Sequence, residues 1–203
     1  MPEQPLVTTT ILLERLRDSR DEEAWRTFDE RFRSVIIATA LRLGLAPADA
    51  EDAAQETIFQ ALRDYQAGKY DRTRSRLSSW IISIAHHRII DLHRSRRLRG
   101  TSGEAAQAAP APEPTEDAVA DAFDEELERR IFEQAWNRLR SDSHFAPETI
   151  TAFELAALRR VPPAQVAAQC GMSVDQVYLA KNRVSARLRT LVDAISRTIR
   201  DGL

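Results

Sequence analysis

The stretch YDRTRSRLSSWIISIAHHRIIDLHRSRRLR, Tyr70 to Arg99, decides how this chain reads. It opens as a short basic loop and continues as one patterned helix. At 100° per residue, Leu77, Trp80, Ile81, Ile84, Ala85 and Leu92 share a stripe, while Ser79, Ser83, His86, Ile90 and Arg94 point the other way. From Lys69 to Arg99 there are nine Lys/Arg and two Asp, a local charge of +7 in a chain of net −2. A helix with an apolar back and a polar, basic front is suited to hold something anionic against a core.

Working outward, 203 residues leave room for one large domain or two small ones. No apolar run approaches the ~18 residues of a membrane span, so membrane insertion is not expected. The first residues lack a basic region followed by an apolar core, so no secretion leader is expected and a cytoplasmic location follows. One cysteine, Cys170, excludes an internal disulfide and a cysteine-based zinc site. Charge is segregated: residues 103–128 hold nine acidic and no basic residues, whereas 176–200 hold six basic and one acidic. The asymmetry suggests two nucleic-acid-facing regions joined by an acidic spacer.

In chain order, Thr10 is expected to cap a short helix from Ile11 to about Arg17. A second runs from Glu22 to Leu43, with Asp21 as N-cap and Gly44 just past its end. Its core stripe is Trp25, Phe28, Phe32, Val35, Ile36, Thr39 and Leu43. Pro47 suits the first turn of a third helix, ending near Tyr65 before Gly68, and Ser75 is a plausible cap for the fourth. The segment from Gly100 to about Glu116 is rich in Ala, Pro, Gly and Glu with almost no apolar bulk, so it reads as a flexible linker. Helices resume at about Asp117–Arg140, then from Pro147 to about Arg159, then after Pro162-Pro163. No convincing strand pattern appears in the first half, which reads as all-helical.

The clearest local motif spans Val161 to Arg189. Ala167 stands four residues before Gly171 and Val177 six after it. Gly171 permits a left-handed turn, Ala167 allows close helix approach, and Ser173 caps the next helix. This is the helix-turn-helix pattern, whose second helix enters the major groove. Val174, Val177, Tyr178, Val184 and Leu188 are expected inside, with Asp175, Gln176, Leu179, Lys181, Asn182 and Arg183 outward or at a rim. A plain helical hairpin with a basic solvated face would carry the same spacing.

Around Asp49, Glu51, Asp52 and Glu56, acidic residues crowd the start of a helix, where carboxylates complement the dipole by ~0.3–1 kcal/mol each. No Glu-x-x-His accompanies them, so a protein-docking face fits better than a metal or acid/base site. His86, His87 and His93 lack carboxylate or cysteine companions on one face. Trp80 reads as core rather than as a base-stacking platform. Arg88 and Asp91 stand where they could pair.

Together these residues resemble bacterial sigma factors of the extracytoplasmic-function (ECF) class. The resemblance covers roughly Glu22–Arg99 and Ile131–Val192, and its specific carriers are ADAEDAAQETIFQAL and RLSSWIISIAHHRIIDLHR. It implies an all-α chain of two small helical domains: sigma domain 2 at 1–99, a flexible acidic linker at 100–116, and a helix-turn-helix sigma domain 4 at 117–203. It implies no catalysis, cofactor or metal. The implied partners are core RNA polymerase, through its β′ clamp and β flap, and promoter DNA. Asp49, Glu51, Asp52, Gln55 and Glu56 would dock on the polymerase. The loop with Lys69, Tyr70, Arg72, Arg74 and Arg76 would capture a base flipped from the minus-ten element. Ser79, Ser83, His86, His87 and Arg94 would face that element too. Ser173, Asp175, Gln176, Leu179, Lys181, Asn182, Arg183 and Arg187 would face the minus-thirty-five element, and the acidic linker would thread towards the polymerase active site.

Members of the class usually carry Arg-Asn where His86-His87 stand, which leaves base preference there open. The C-terminal sequence also looks like a subset found beside Ser/Thr kinases. Control by an anti-sigma factor or by a kinase acting on Thr57 would correspond, although the intact acidic motif favours docking that needs no phosphate. Two rivals differ in kind: a helix-turn-helix repressor, which would bind duplex without polymerase, and a helical metalloenzyme, which would purify with metal.

Overall fold

The computed structural model describes residues 9–18, 20–100, 113–141 and 144–200, with backbone alone for 9, 96–100 and 200. Among the described residues every regular element is helical: α1 Thr9–Arg15, α2 Glu22–Arg42, α3 Pro47–Gln66, α4 Leu77–Gly100, α5 Glu116–Ser141, α6 Pro147–Phe153, α7 Pro163–Cys170 and α8 Val174–Arg200. A π-helical turn, Glu154–Leu158, extends α6.

The contacts divide the chain into two compact units, Met1–Arg130 with Thr198–Leu203, and Ile131–Arg197. The boundary expected at residue 117 therefore falls inside α5, whose first half belongs to the first unit. Most of the expected linker, residues 101–112, lies outside the described residues.

In the first unit α2 packs on α1 and α3, and α3 packs on α4. The α2 stripe buries Phe28, Phe32, Val35, Ile36 and Ala40. The facing side of α3 is mostly alanine: Ala50, Ala53, Ala54 and Ala61 are at most 1% exposed, so neighbouring backbones approach closely. Asp21 caps α2 as expected, its carboxylate accepting from the Ala24 amide at 3.0 Å. Arg15 grips the same carboxylate through Nε and Nη2 at 2.7 and 2.8 Å. These bonds, Arg15 first, lower the Asp21 carboxyl to about 2.

In α4 the buried arc is rotated from the expected stripe. Leu77, Ile81 and Ala85 are inside, but so are Ile82, Ile89 and Ile90, while Trp80 and Ile84 lie at its edge. Ile89 joins a cluster of Ala40, Leu45, Ala50, Ala53 and Val119, the last delivered by α5. Further along α5, Glu125 and the buried Glu126 both pair with Arg42 of α2, the latter at 3.6 Å. Chain returning after residue 112 thus completes the core of the first unit.

The second unit is built on a cluster of Ala152, Val166, Ala167, Val177 and Ala180, with Leu155, Val161, Cys170 and Met172 packed around it. Proline opens α6 and α7, where a missing amide hydrogen leaves nothing unpaired. Two residues beyond the π turn, Arg160 takes a left-handed φ of 56°.

Candidate nucleic-acid interface

Burying the alanine side of α3 commits its other side to solvent. Glu51, Asp52, Gln55 and Glu56 are exposed there, and Asp49 is partly so. Two of them are fixed by cations from neighbouring helices: Glu51 lies 3.9 Å from Arg33 of α2, and Glu56 lies 3.6 Å from Arg88 of α4. Arg88 therefore turns to α3 rather than to Asp91. Phe59, 57% exposed, continues this face and with Glu56, Arg63 and Arg88 lines an open hollow of about 410 Å³. Sequence reasoning missed Phe59, although an aromatic three residues beyond Glu56 and off the α3 core row is the signal that could have found it.

Thr57, between Glu56 and the core, is 0% exposed and donates its hydroxyl to the Ala53 carbonyl at 2.7 Å. This corrects its reading as a phosphosite: a kinase could reach the hydroxyl only if α3 left its neighbours.

Gly68, at φ 73°, ends α3 in the left-handed conformation that its lack of Cβ permits. The Gly68 and Lys69 amides donate back to Tyr65 and Asp64 carbonyls, at 3.0 and 2.9 Å, so the chain turns sharply into the basic loop. Lys69 pairs with Asp64 at 2.7 Å and is the main reason that carboxyl lies below its ordinary range. The Asp71 carboxylate accepts from the Thr73 amide and hydroxyl at 2.9 and 2.7 Å. Arg72 donates to the Thr10 hydroxyl at 3.1 Å. Arg74 and Arg76 are exposed.

Tyr70 is the loop's anchor. Its ring lies 4.9 Å from that of Trp80 and 6.1 Å from that of Tyr65, and its hydroxyl donates to the Ser75 carbonyl at 3.2 Å. Burial raises its phenol. Ser75 is thus not the helix cap: the Trp80 amide donates to the Arg76 carbonyl at 3.0 Å, one residue later.

Along α4, Ser79 and His87 are exposed, and Ser83 and His86 partly so. Ser83 donates to the Trp80 carbonyl at 2.8 Å, and His87 Nδ1 lies 2.6 Å from the Ser83 carbonyl. The His86 and His87 rings meet edge-on at 5.4 Å. Arg94 pairs with Glu113 at 3.2 Å, so one expected DNA-facing cation already holds a carboxylate.

In the second unit Gly171, φ 64°, makes the left-handed turn between α7 and α8 above the small Ala167. Ser173 and Gln176 then cap α8 reciprocally: the Gln176 amide donates to the Ser173 hydroxyl at 3.2 Å, and Gln176 Oε1 accepts from the Ser173 amide at 2.8 Å. Val177, Ala180, Val184 and Leu188 face the core. Val174 and Tyr178, expected inside, are 40% and 52% exposed, because they stand off the row that packs on the core. Asp175, Leu179, Lys181, Asn182, Arg183 and Arg187 are exposed, as expected. Arg183 lies over the Phe145 ring, 5.8 Å from its centre.

With this geometry in place, similarity to known proteins becomes informative. Residues 28–99 match the model of the sigma-70 region 2 family. The ECF RNA polymerase sigma factor SigK of Mycolicibacterium vanbaalenii is 32% identical over 127 residues, 62% of this chain and 63% of that one. Over the aligned residues the chain is similar to ECF sigma factors. It spans only about three fifths of the length of that SigK relative. SigL of Mycobacterium tuberculosis aligns more widely, at 28% identity over 87% of this chain and 89% of its own. RpoE of Cereibacter sphaeroides is 25% identical over 82% and 91%. Among solved structures, CnrH in complex with the cytosolic domain of CnrY aligns at 19% identity over 91% of this chain and 97% of that one, with a TM-score of 0.37. The sigma-70 region 2 match stops at Arg99, so the helix-turn-helix of this chain lies outside it. No helix among the described residues is long and apolar enough to cross a membrane.

Proposed function

We propose that the chain directs core RNA polymerase to promoters and helps to open them. The observation that carries this reading is the pairing of two surfaces on one packed helix pair. The exposed face of α3 offers Asp49, Glu51, Asp52, Gln55, Glu56 and Phe59 for docking on polymerase. Directly against it, α4 and its preceding loop offer Lys69, Arg74, Arg76, Ser79, Ser83 and His87 to the minus-ten element. A duplex-binding repressor needs no such coupling. Extruding a base costs a few kcal/mol of stacking, which contacts from the basic loop anchored by Tyr70 would offset. The helix-turn-helix would read the minus-thirty-five element, its cations adding affinity that falls with salt.

Regulation by an anti-sigma protein follows from the same surface, because a partner covering α3 would block docking. Phosphorylation of Thr57 is not part of this proposal.

The test is a pull-down of core polymerase with wild type and with Asp49→Ala/Asp52→Ala, followed by transcription from a selected promoter. Sub-micromolar binding by wild type, lost together with transcripts in the double variant, supports the proposal. Wild type that ignores polymerase yet binds duplex DNA alone refutes it.

A further inference from the structure

The outward face of α8 changes character along its length. Opposite the buried row of Val177, Ala180 and Val184, the face centres on Asp175, Leu179 and Asn182, with Tyr178 beside them. Tyr178 and Leu179 are 52% and 56% exposed. From Val174 to Ala180 there is no Lys or Arg; cations begin at Lys181. In a helix-turn-helix the N-terminal residues of the second helix lie against base edges. The commonest specific contact there, arginine bidentate to guanine, is unavailable in these first turns. Gln176, which could pair with adenine, has its amide oxygen bonded to the Ser173 amide. What remains at the base edges is the Asp175 carboxylate, suited to a cytosine amine, and beyond it hydrocarbon and the Asn182 amide.

Thymine is the base that presents hydrocarbon in the major groove, through its C5-methyl, and Asn pairs bidentately with adenine N6 and N7. We propose that α8 reads A·T pairs, with Tyr178 and Leu179 packed on thymine methyls and Asn182 on an adenine, while Lys181 holds the phosphate backbone. The inference rests on the promoter-binding reading above and adds to it the chemistry of the bases read. The exposed apolar pair then has an occupant that also satisfies the adjacent cation, which an apolar protein partner would leave unmatched.

The experiment uses the full chain bound to core polymerase. Duplexes are selected from a library randomised upstream of a fixed minus-ten region, and each thymine of the selected site is replaced in turn by deoxyuridine. Removing one buried methyl should weaken wild-type binding about fourfold at one or two positions. Tyr178→Ala/Leu179→Ala should lose that sensitivity, while Lys181→Ala should weaken every duplex alike and keep it. Both variants alter exposed residues, and unchanged helical circular dichroism confirms their folding. A selected site without thymine, indifference of wild type to deoxyuridine, or an undiminished penalty in the double variant overturns the inference but leaves promoter binding intact. Enrichment of no duplex at all overturns both. Loss of polymerase binding in the double variant, with base preference unchanged, assigns the pair to a protein contact and also overturns it.

Discussion

Replacing Thr57 by Glu tests the α3 packing and the regulatory reading together. The side chain is 0% exposed, surrounded along its helix by Ala53, Ala54 and Ala61 at no more than 1%. Its hydroxyl has a partner, the Ala53 carbonyl at 2.7 Å, but a carboxylate there can only accept, and that carbonyl offers it no proton. An uncompensated buried charge destabilises by about 3–5 kcal/mol. Against a typical total of roughly 5–15 kcal/mol, this lowers the melting temperature of the first unit by roughly 10 °C or more. Thr57→Val keeps the shape and loses one hydrogen bond, a change of about 1 kcal/mol or less. Burial raises the introduced carboxyl's pKa in the folded state, so the folded state binds more protons and the deficit shrinks as pH falls. Thermal melts followed by circular dichroism at pH 5 and pH 7 provide the measurement. A Thr57→Glu protein as stable as wild type, with no pH difference, would refute the burial and restore Thr57 as a site for a kinase.

Other outcomes follow from single contacts. Asp21→Ala should destabilise the first unit at pH 7; since the native carboxyl is lowered from 3.8 to about 2, the difference from wild type should disappear as acid titration passes through that window. Phe59→Ala should leave the melting temperature within experimental scatter, because the ring is exposed, yet weaken polymerase binding about fivefold or more in a titration. Arg160→Gly should stabilise the second unit by about 0.5–1 kcal/mol in urea unfolding, since it relieves a left-handed residue at the cost of a more flexible unfolded chain. Gly171→Ala should do the reverse by about 1 kcal/mol, and unchanged stability would mean the turn is not left-handed in solution.

Where local chemistry decides conformation, the sequence was readable. Asp21 before Glu22, Pro47 at a first turn, and Gly171 before Ser173 each act within a few residues, and the helices begin and end accordingly. What escaped depends on distant chain. Ile89 is buried because Val119 comes to cover it, and nothing near Ile89 announces a residue thirty positions away. Tyr178 reads as core from its spacing, but Val177 and Ala180 pack on Ala152, Val166 and Ala167 of other helices and leave it outside. The π turn adds a residue to one helical turn, which a fixed 3.6-residue period cannot anticipate. For the exposed face of α3, the acidic residues were visible, but Arg88 opposite Glu56 and the exposed Phe59 required the α3–α4 packing.

The return of α5 to the first unit changes what the intervening stretch is for. The chain leaves α4 at Gly100, and by Glu113 it is back beside Arg94, with Val119 and Glu126 seated soon after. A protease cut between residues 101 and 112 would therefore nick the protein without separating its parts, and the two fragments should elute together on gel filtration. Lengthening the same stretch should be nearly neutral, since each doubling of a closed loop adds only about 0.6 kcal/mol. Co-elution of the two fragments would make that place the natural point for inserting a reporter or dividing the protein into two halves that reassemble.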